Sequence, residues 1–351
     1  MTPVSHPPLW VVFCRVIDNH GDLGVCWRLS VQLAQAGKRV WLCVDHPQAL
    51  AWMAPQGCEG VDVKPWPEAG TTQVFEQTPQ VVIEAFGCEL PDTVQHALAS
   101  CQPTPVWINL EYFSEESSAR RNHGLPSPVS HGPAKGLTKW FYYPGLSAQS
   151  GGLLARHTSQ SEARRARAND KGWQISVFCY EPIGMARWLH QLTQLPARPT
   201  LHVTAGRASA CVQTILAADP ALSSKLEVVY LMPMPQHAYD AWLCRMDLNL
   251  VRGEDSLVSA MAAGVAFLWQ IYPQHDGAHH AKLQAFLNET HAPPPVVQAH
   301  LAWNADQACD LPELTTEVFI AWTQWAQQCR ERLQTQDDLV RKLIEFVTMK
   351  S

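Results

Sequence analysis

Two short acidic motifs in opposite halves of the chain carry side chains suited to acid–base chemistry and anion binding. The first, Asp-Asn-His-Gly-Asp-Leu-Gly at residues 18–24, directly follows a largely apolar run at residues 9–17. The second, Arg-Gly-Glu-Asp-Ser at residues 252–256, follows the apolar run 248–251. Each motif stands where a buried parallel strand would end and a helix begin, and ligands of open α/β sheets bind beyond the carboxyl ends of the strands. The sequence therefore predicts a cleft between two domains that holds an anion and a general base.

The first motif has the features of a turn that lies close to a ligand. Gly21 and Gly24 permit a tight turn and a close approach of the backbone, and the N–H groups that open the following helix can face an anion. The spacing differs from the dinucleotide fingerprint G-x-G-x-x-G, which argues against an NAD site. Asp22 has an alternative role as the N-cap of that helix. Capping alone is a poorer explanation for Asp18 at the strand end.

The second motif joins a guanidinium to a helix start. Arg252 and the helix N-terminus together are predicted to bind a diphosphate, with Asp255 or Ser256 as the helix cap. Glu254 is an unusual neighbour for an anion, and its predicted role is to accept hydrogen bonds from sugar or ribose hydroxyls or to position an acceptor. The alternative is a surface loop with an Arg–Glu ion pair, which contributes little energy.

Two further segments follow predicted strand ends in the second half. Tyr180 can stack on a flat base or sugar, and its alternative is an aromatic residue at the edge of the core. The Met-Pro-Met-Pro-Gln run at 232–236 is a proline-rich turn that can present backbone groups to the edge of a base. Both are weak signals when taken alone.

The elements that must position these motifs alternate between strand and helix. The predicted strands of the first half lie at 9–17, 39–44, 81–83 and 106–110, with a helix at 24–36. The predicted elements of the second half are strands at 174–178, 201–204, 226–231, 248–251 and 266–271 and helices at 185–192, 239–245 and over most of 313–350. This alternation predicts α/β architecture with a doubly wound parallel sheet in each half.

The domain organisation follows from the same pattern. We expect an N-terminal domain at 1–150, a C-terminal domain at 151–330 and a C-terminal helix at 331–351 that packs back on the first domain. Residues 147–171 are interpreted as a helix plus a connector. The arginines of that stretch are interpreted as a solvated face: Arg156, Arg164, Arg165 and Arg167.

Composition narrows the class of protein. The chain has 351 residues, 46% of them hydrophobic, and a formal net charge of -6, which argues against a general nucleic-acid binder. It has no apolar run of about 18 residues and no basic segment followed by an apolar core at its start, so neither a membrane span nor a secretory signal is expected. The 11 cysteines form no Cys-x-x-Cys pair and are interpreted as buried free thiols in a reducing cytoplasm. No His/Asp spacing typical of a metal site is present.

Taken together, the motifs are far more specific than any one of them. The chain resembles the bacterial elongation factor P arginine rhamnosyltransferases, and the matching segments span residues 9 to about 285 in the right order. They are FCRVIDNHGDLGVCWRL at 13–29, IEAF at 83–86, NLEY at 109–112, GLPSP at 124–128, SGGL at 150–153, VRGEDS at 251–256 and LWQIYPQ at 268–274.

This resemblance implies a GT-B fold, in which two Rossmann-like domains face a central cleft, with no metal and no cofactor. It implies that rhamnose moves from dTDP-β-L-rhamnose to one arginine of elongation factor P with inversion, in the cytoplasm. The modified factor would then relieve polyproline stalling. The acceptor protein would contact mainly the first domain.

The resemblance also implies roles for individual residues. By position, Asp22 is the catalytic base, Glu254 the second active-site carboxylate and Asp18 a partner near the acceptor. The implied donor-binding residues are Asn19, His20, Gly21, Asp22, Tyr180, Met234, Pro235, Gln236, Arg252, Gly253, Glu254, Asp255 and Ser256. The chain departs from the family pattern at Met234 and Pro235, at Gln270, where histidine is expected, and at Leu257, where phenylalanine is expected.

Two other functions remain open from the residues alone. One is a different GT-B enzyme, such as a heptosyltransferase-like transferase acting on a glycan, which needs the diphosphate site but no carboxylates for a guanidinium. The other is a non-catalytic protein that binds a nucleotide sugar. Analysis of the acceptor by mass separates the first from protein rhamnosylation, and turnover of the donor tests the second.

Overall fold

The chain divides into two compact units. A computed structural model describes residues 7–17, 20–68, 71, 73–156, 172–274 and 277–351. Unit 1 comprises Met1–Ala155 together with Gln336–Ser351, and unit 2 comprises Arg156–Thr335. Arg164, Arg165 and Arg167 of the predicted connector lie outside the described residues.

Unit 1 is built on a seven-stranded sheet with the order β3-β2-β1-β4-β5-β7-β6, in which only β6 runs antiparallel to its neighbour. Its strands are β1 (Leu9–Cys14), β2 (Arg39–Val44), β3 (Val61–Pro65), β4 (Val81–Ala85), β5 (Val106–Leu110), β6 (Pro126–Pro128) and β7 (Thr138–Tyr142). Alternate residues of β1 belong to two different apolar clusters. The strand is therefore buried on both faces, as expected for a parallel sheet.

The described helices of unit 1 cover this sheet. They are α1 (Gly21–Gln35), α2 (Leu50–Met53), α3 (Asp92–Ser100), α4 (Ser117–Asn122) and, from the end of the chain, α13 (Leu339–Lys350). Leu343 and Phe346 of α13 are buried in the same apolar cluster as Trp10 and Val12 of β1. The last helix is therefore part of the core of unit 1.

Unit 2 contains a five-stranded sheet, entirely parallel, with the order β10-β9-β8-β11-β12. Its strands are β8 (Gln174–Val177), β9 (Thr200–Val203), β10 (Glu227–Tyr230), β11 (Leu248–Arg252) and β12 (Ala266–Gln270). Its described helices are α5 (Met185–Leu192), α6 (Arg207–Ala218), α7 (Pro220–Lys225), α8 (Gln236–Leu243), α9 (Gly253–Ala263), α10 (Ala278–Glu289), α11 (Pro294–Trp303) and α12 (Thr316–Thr335).

Several predicted element boundaries are wrong, and local hydrogen bonds explain the two that matter most. The first strand ends at Cys14 rather than at residue 17, because the N–H groups of Val16 and Ile17 donate to the side chains of Asp45 and Asp22. The helix predicted over 313–350 is two helices. Asp338 starts the second by accepting a hydrogen bond from the N–H of Arg341, 3.0 Å away.

Two further corrections concern the starts of helices in unit 2. Helix α8 begins at Gln236 rather than at residue 239, and Pro235 directly precedes it. Helix α11 begins at Pro294, although the proline-rich composition of residues 292–295 favours a turn or loop there. Proline is tolerated in the first turn of a helix because that turn needs no intrahelical N–H donor.

All 11 cysteines are free thiols, and all but Cys58, Cys211 and Cys309 are buried. Burial raises the pKa of Cys43, Cys88 and Cys329 to about 12, since an apolar environment disfavours the thiolate.

Among the described residues, no helix combines the length and the apolar character that crossing a membrane requires.

Candidate active site

Each unit has a point where its strand order reverses, and each predicted motif lies at such a point. In unit 1 the chain moves outward from β1 to β3 and then returns to β4 on the other side of β1. In unit 2 it moves from β8 to β10 and returns to β11 beside β8. The crevice beyond the strand ends at such a switch point is the usual ligand site of a doubly wound sheet.

Asp22 is the carboxylate at the switch point of unit 1. It lies in the first turn of α1 and is 2% exposed. Its Oδ2 accepts a hydrogen bond from the N–H of Ile17 (2.8 Å), and its Oδ1 accepts one from the hydroxyl of Tyr112 (3.0 Å). The N-cap interpretation is therefore wrong: the N-cap position belongs to His20, and the side chain of Asp22 bonds outside its own helix.

Tyr112 has no role among the sequence-based predictions, although it lies in the segment NLEY at 109–112 that matches the family. It follows β5, and its ring stacks on Phe86, which follows β4, with centroids 4.4 Å apart and planes 13° apart. Phe86 has a φ of 57°, an unusual value for a bulky residue. Because β1, β4 and β5 are neighbours, the ends of three strands together fix the Asp22 carboxylate.

The remaining residues of the first motif are placed as follows. His20 is exposed, and its ring packs edge-on against Trp52 with centroids 5.3 Å apart. Gly21 is exposed and opens α1. Asp18 and Asn19 lie outside the described residues, so their predicted roles stay predictions.

Arg252 is the cation at the switch point of unit 2. It ends β11, and its guanidinium lies over the rings of Phe178 (4.7 Å) and Tyr180 (4.6 Å), which follow the neighbouring strand β8. Its Nη1 is 3.5 Å from the backbone oxygen of Cys179. Cation–π contacts of this kind hold a guanidinium in place without neutralising it.

Tyr180 is 1% exposed, so its ring supports the neighbouring cations rather than presenting an open stacking face. A second guanidinium, that of Arg207, lies 5.0 Å from the same ring and bonds to Glu181. The N–H of Tyr180 donates to Oε1 of Gln270 at 2.8 Å. Gln270, which stands where the family pattern has histidine, therefore supplies the hydrogen-bond acceptor for the backbone just after β8.

The residue that caps the start of α9 is not one of the two predicted. Arg252 occupies the N-cap position, and the Ser256 hydroxyl donates back to the backbone oxygen of Arg252, so neither Asp255 nor Ser256 is the cap. Gly253 adopts a φ of 66°, which an L side chain rarely takes, and this explains the glycine between strand and helix. Glu254 and Asp255 both lie in the first turn.

Both first-turn carboxylates have cationic partners that the sequence analysis missed. Lys282 of α10 donates to Glu254, and Arg156 donates to Asp255. Glu254 forms no ion pair with Arg252 within the described ranges, so the surface-loop alternative is wrong. The interpretation of Arg156 as part of a solvated face is wrong, because its side chain is only 1% exposed.

Other predicted donor-binding residues surround this helix start. Gln236 opens α8, and its Nε2 lies 3.4 Å from Oδ2 of Asp255. Met234 and Pro235 are half-buried immediately before it. The structure thus brings Gln236 and Asp255 together in unit 2, and their roles in donor binding stay predictions.

One group of potential metal ligands occurs among the residues the structure describes: His279, His280 and Asp306. The Nδ1 of His279 accepts the N–H of Gln274 at 3.1 Å, so a neutral ring carries its proton on Nε2. Neither nitrogen then offers a metal an unused lone pair. The hydrogen bonding of His279 therefore does not fit a metal ligand.

Comparison with solved structures confirms the predicted GT-B fold of two Rossmann-like domains. The structure describing EarP-mediated arginine glycosylation of translation elongation factor EF-P has a TM-score of 0.56 at 23% identity and covers 98% of this chain and 99% of that one. The glycosyltransferase VinC in complex with dTDP gives 0.55 at 13% identity, with coverage of 97% and 100%. MurG of Acinetobacter baumannii gives 0.53 at 14% identity, with coverage of 98% and 100%.

Curated relatives match along nearly the whole chain. The protein-arginine rhamnosyltransferase of Pseudomonas aeruginosa is 36% identical over an alignment of 383 positions. The alignment covers 96% of this chain and 98% of that protein. The protein of the same name from Neisseria meningitidis serogroup B is 32% identical over 387 residues and covers 98% of both. These relatives confirm the prediction of a glycosyltransferase enzyme. The family model described as Elongation-Factor P (EF-P) rhamnosyltransferase EarP matches residues 10–348, and the chain therefore belongs to the EarP family.

Proposed function

We propose that this enzyme transfers L-rhamnose from dTDP-β-L-rhamnose to an arginine side chain of elongation factor P, with inversion at the anomeric carbon. The observation that carries the proposal is the Asp22 carboxylate, buried at the switch point of unit 1 and oriented by two hydrogen bonds. Membership of the EarP family and the names of the curated relatives support the choice of donor sugar and acceptor.

An arginine side chain is a difficult nucleophile, because its pKa exceeds about 12 and its nitrogen lone pairs are delocalised. A carboxylate can bind the cationic guanidinium by charge-assisted hydrogen bonds and hold one nitrogen in line with the anomeric carbon. As the C–N bond forms and the positive charge concentrates on that nitrogen, Asp22 takes the proton. Asp18 and Glu254 are proposed to orient the guanidinium.

The leaving group is a nucleoside diphosphate. Negative charge builds up on it as its bond to the sugar breaks, and nearby positive charge stabilises that change. Arg252 and the N–H groups at the start of α9 are proposed to bind the diphosphate and to stabilise the charge that develops. Around this helix start, we propose Tyr180 as the support of Arg252 and Met234, Pro235, Gln236, Gly253, Asp255 and Ser256 as further donor-binding residues. His20, Gly21 and Asn19 are proposed to contact the donor from unit 1.

Because Arg252 and backbone N–H groups supply the positive charge in this scheme, we propose that no metal or other cofactor takes part. A single displacement by the arginine nitrogen breaks the bond to the diphosphate and inverts the anomeric centre. The proposed acceptor is a translation factor, so the proposed reaction takes place in the cytoplasm.

The test is to incubate the enzyme with dTDP-β-L-rhamnose and elongation factor P and to measure the intact mass of the acceptor. We expect the gain of one deoxyhexosyl group, mapped by peptide fragmentation to one arginine, with the α-linked product identified by NMR. The rate should be unchanged by a metal chelator. An acceptor with that arginine replaced by lysine is the control and should gain nothing.

Three results would contradict the proposal. Transfer to a glycan but not to the protein would favour the heptosyltransferase-like alternative. Binding of dTDP-rhamnose without turnover in the presence of elongation factor P would favour a non-catalytic binding protein. A β-linked product would exclude the single displacement.

A further inference from the structure

The first turn of α9 poses an electrostatic problem for the proposed diphosphate site. Glu254 and Asp255 stand side by side directly after Arg252. Two carboxylates beside one guanidinium give a net negative charge, and like charges at such short range repel a phosphate strongly. A diphosphate site built from these three side chains alone would bind its ligand poorly.

Each carboxylate is balanced by a cation from elsewhere in unit 2. The ammonium group of Lys282 pairs with Glu254, and these two side chains are 16% and 19% exposed. The guanidinium of Arg156 pairs with Asp255, where the exposures are 1% and 15%, and its Nε also lies 3.2 Å from the hydroxyl of Ser259. Such limited exposure means that solvent screens these pairs much less than it screens surface ion pairs.

When these two cations are counted, the net charge of the described side chains at the start of α9 changes from negative to positive. Among the described side chains, Arg252, Lys282 and Arg156 together with the two carboxylates of this helix start carry one net positive charge. Arg252 forms no ion pair with a carboxylate within the described ranges; it contacts the rings of Phe178 and Tyr180 and a backbone oxygen. The nearby Glu181 carboxylate is paired with Arg207, which lowers its pKa more than Arg252 does. The positive potential is therefore centred where the diphosphate is proposed to bind.

We propose that Lys282 is a positioning residue that neutralises Glu254, so that this carboxylate can serve the reaction without repelling the donor diphosphate. The inference rests on the proposed function, since it takes a nucleoside diphosphate as the ligand of unit 2. Lys282 acts through Glu254. Its removal takes away the ammonium group that pairs with this largely buried carboxylate.

The test is a double-mutant cycle read by calorimetric titration with dTDP, which separates binding from chemistry. Lys282→Gln should weaken dTDP binding by about tenfold, because it removes one positive charge that pairs with Glu254 beside the proposed diphosphate. Glu254→Gln alone should bind dTDP at least as tightly as the wild type. The double variant Lys282→Gln with Glu254→Gln should recover affinity to within about threefold of the wild type, because the repelling charge is gone.

The exposed Lys225 of the same unit provides the matched control, and Lys225→Gln should leave the affinity unchanged. Thermal unfolding of every variant checks that unit 2 is folded. Unchanged affinity in Lys282→Gln would overturn the inference. So would a double variant as weak as Lys282→Gln, which would make Lys282 a direct phosphate ligand. A wild-type enzyme that fails to bind dTDP would instead reject the proposed donor, and this inference with it.

Discussion

Two hydrogen bonds from described residues hold the Asp22 carboxylate, and one of them comes from a side chain 90 residues away in sequence. The bond from Ile17 is supplied by the backbone N–H, which no substitution other than proline removes. The bond from Tyr112 can be removed by substitution, and its hydroxyl favours the ionised form of the carboxylate. Tyr112 therefore offers a direct way to perturb the proposed base without touching it.

We predict that Tyr112→Phe lowers kcat by at least about tenfold, because a hydrogen bond to a charged group contributes roughly 1.5–3 kcal/mol. The acid limb of the rate–pH profile should also move to higher pH, since the ionised carboxylate has lost a donor. Rates of rhamnosyl transfer measured from pH 5 to 9 test this. Tyr230→Phe, at an exposed tyrosine, is the control. An unshifted acid limb would show that Tyr112 does not act through Asp22.

A second single substitution, at Arg252, tests the proposed diphosphate site independently of Asp22. Arg252→Ala should weaken dTDP binding by at least about tenfold, because it removes the cation nearest the proposed diphosphate. The exposed Arg245→Ala removes the same charge from the same unit and should have no effect. Titration calorimetry that gives equal affinities for the two variants would defeat the assignment of Arg252.

Asp22, Glu254 and Arg252 could be singled out from the sequence, because each lies near the end of a predicted strand and apolar runs reveal the strands; their roles in catalysis and binding stay predictions. The sequence could not identify their partners. Tyr112, Arg156 and Lys282 reach Asp22, Asp255 and Glu254 across 90, 99 and 28 residues. Such pairings depend on how elements pack, and no local pattern encodes them.

At the scale of elements, helix α11 carries a histidine that makes unit 2 sensitive to acid. His300 is fully buried, and its Nδ1 donates to the backbone oxygen of Val296 at 2.9 Å. Its Nε2 has no hydrogen-bond partner among the described residues and lies among the rings of Phe267, Trp322 and Trp325. Burial therefore lowers the pKa of His300 to about 4.

The sign of the pH dependence follows from that lowered pKa. Above pH 6.5 the ring is neutral in both folded and unfolded chains, so its contribution to stability is fully present. Between pH 6.5 and about 4 the unfolded chain takes up a proton that the folded chain refuses, and stability is lost. At pH 5 the loss should be about 2 kcal/mol.

His300→Gln removes this titration while keeping a side chain that can hydrogen-bond. We predict that urea unfolding of the wild type, but not of this variant, shows the extra loss of about 2 kcal/mol between pH 7 and pH 5. His237→Gln, at an exposed histidine, should behave like the wild type. Equal pH dependence in His300→Gln and wild type would mean that His300 is not the group responsible.

Strand positions were easier to predict than helix boundaries. The strands at 39–44 and 106–110 lie where their apolar runs predict them, because strands buried on both faces are continuous hydrophobic segments. The strand β3, with a mostly exposed pattern at an edge of the sheet, was not predicted. The helix starts at Gly21 and Gln236 were missed because no side chain caps either one, so the usual sequence signal is absent.

At the scale of the whole molecule, the chain leaves unit 1 after Ala155 and returns to it at Gln336. The returning helix α13 contributes Leu343 and Phe346 to the core, and Phe346 also contacts the rings of Tyr142 and Trp140. Residues at the end of the sequence are therefore needed for the unit that carries Asp22.

We predict that Leu343→Ala destabilises unit 1 by about 3 kcal/mol, the usual cost of removing a fully buried leucine. Met349→Ala, on the same helix but 74% exposed, should change stability by less than about 0.5 kcal/mol. Denaturant unfolding of the two variants gives the comparison. Equal stabilities would show that α13 does not contribute to the core of unit 1.

If the buried Asp22 accepts the proton lost by the acceptor arginine, Asp22→Asn should be unable to support normal transfer in a single-turnover experiment. The substitution keeps the shape of the side chain but removes its charge. The rate should fall by at least about 100-fold while the affinity for dTDP stays that of the wild type. Asp92→Asn, an exposed aspartate in the first turn of α3, should transfer rhamnose normally. Near wild-type turnover by Asp22→Asn would contradict the account.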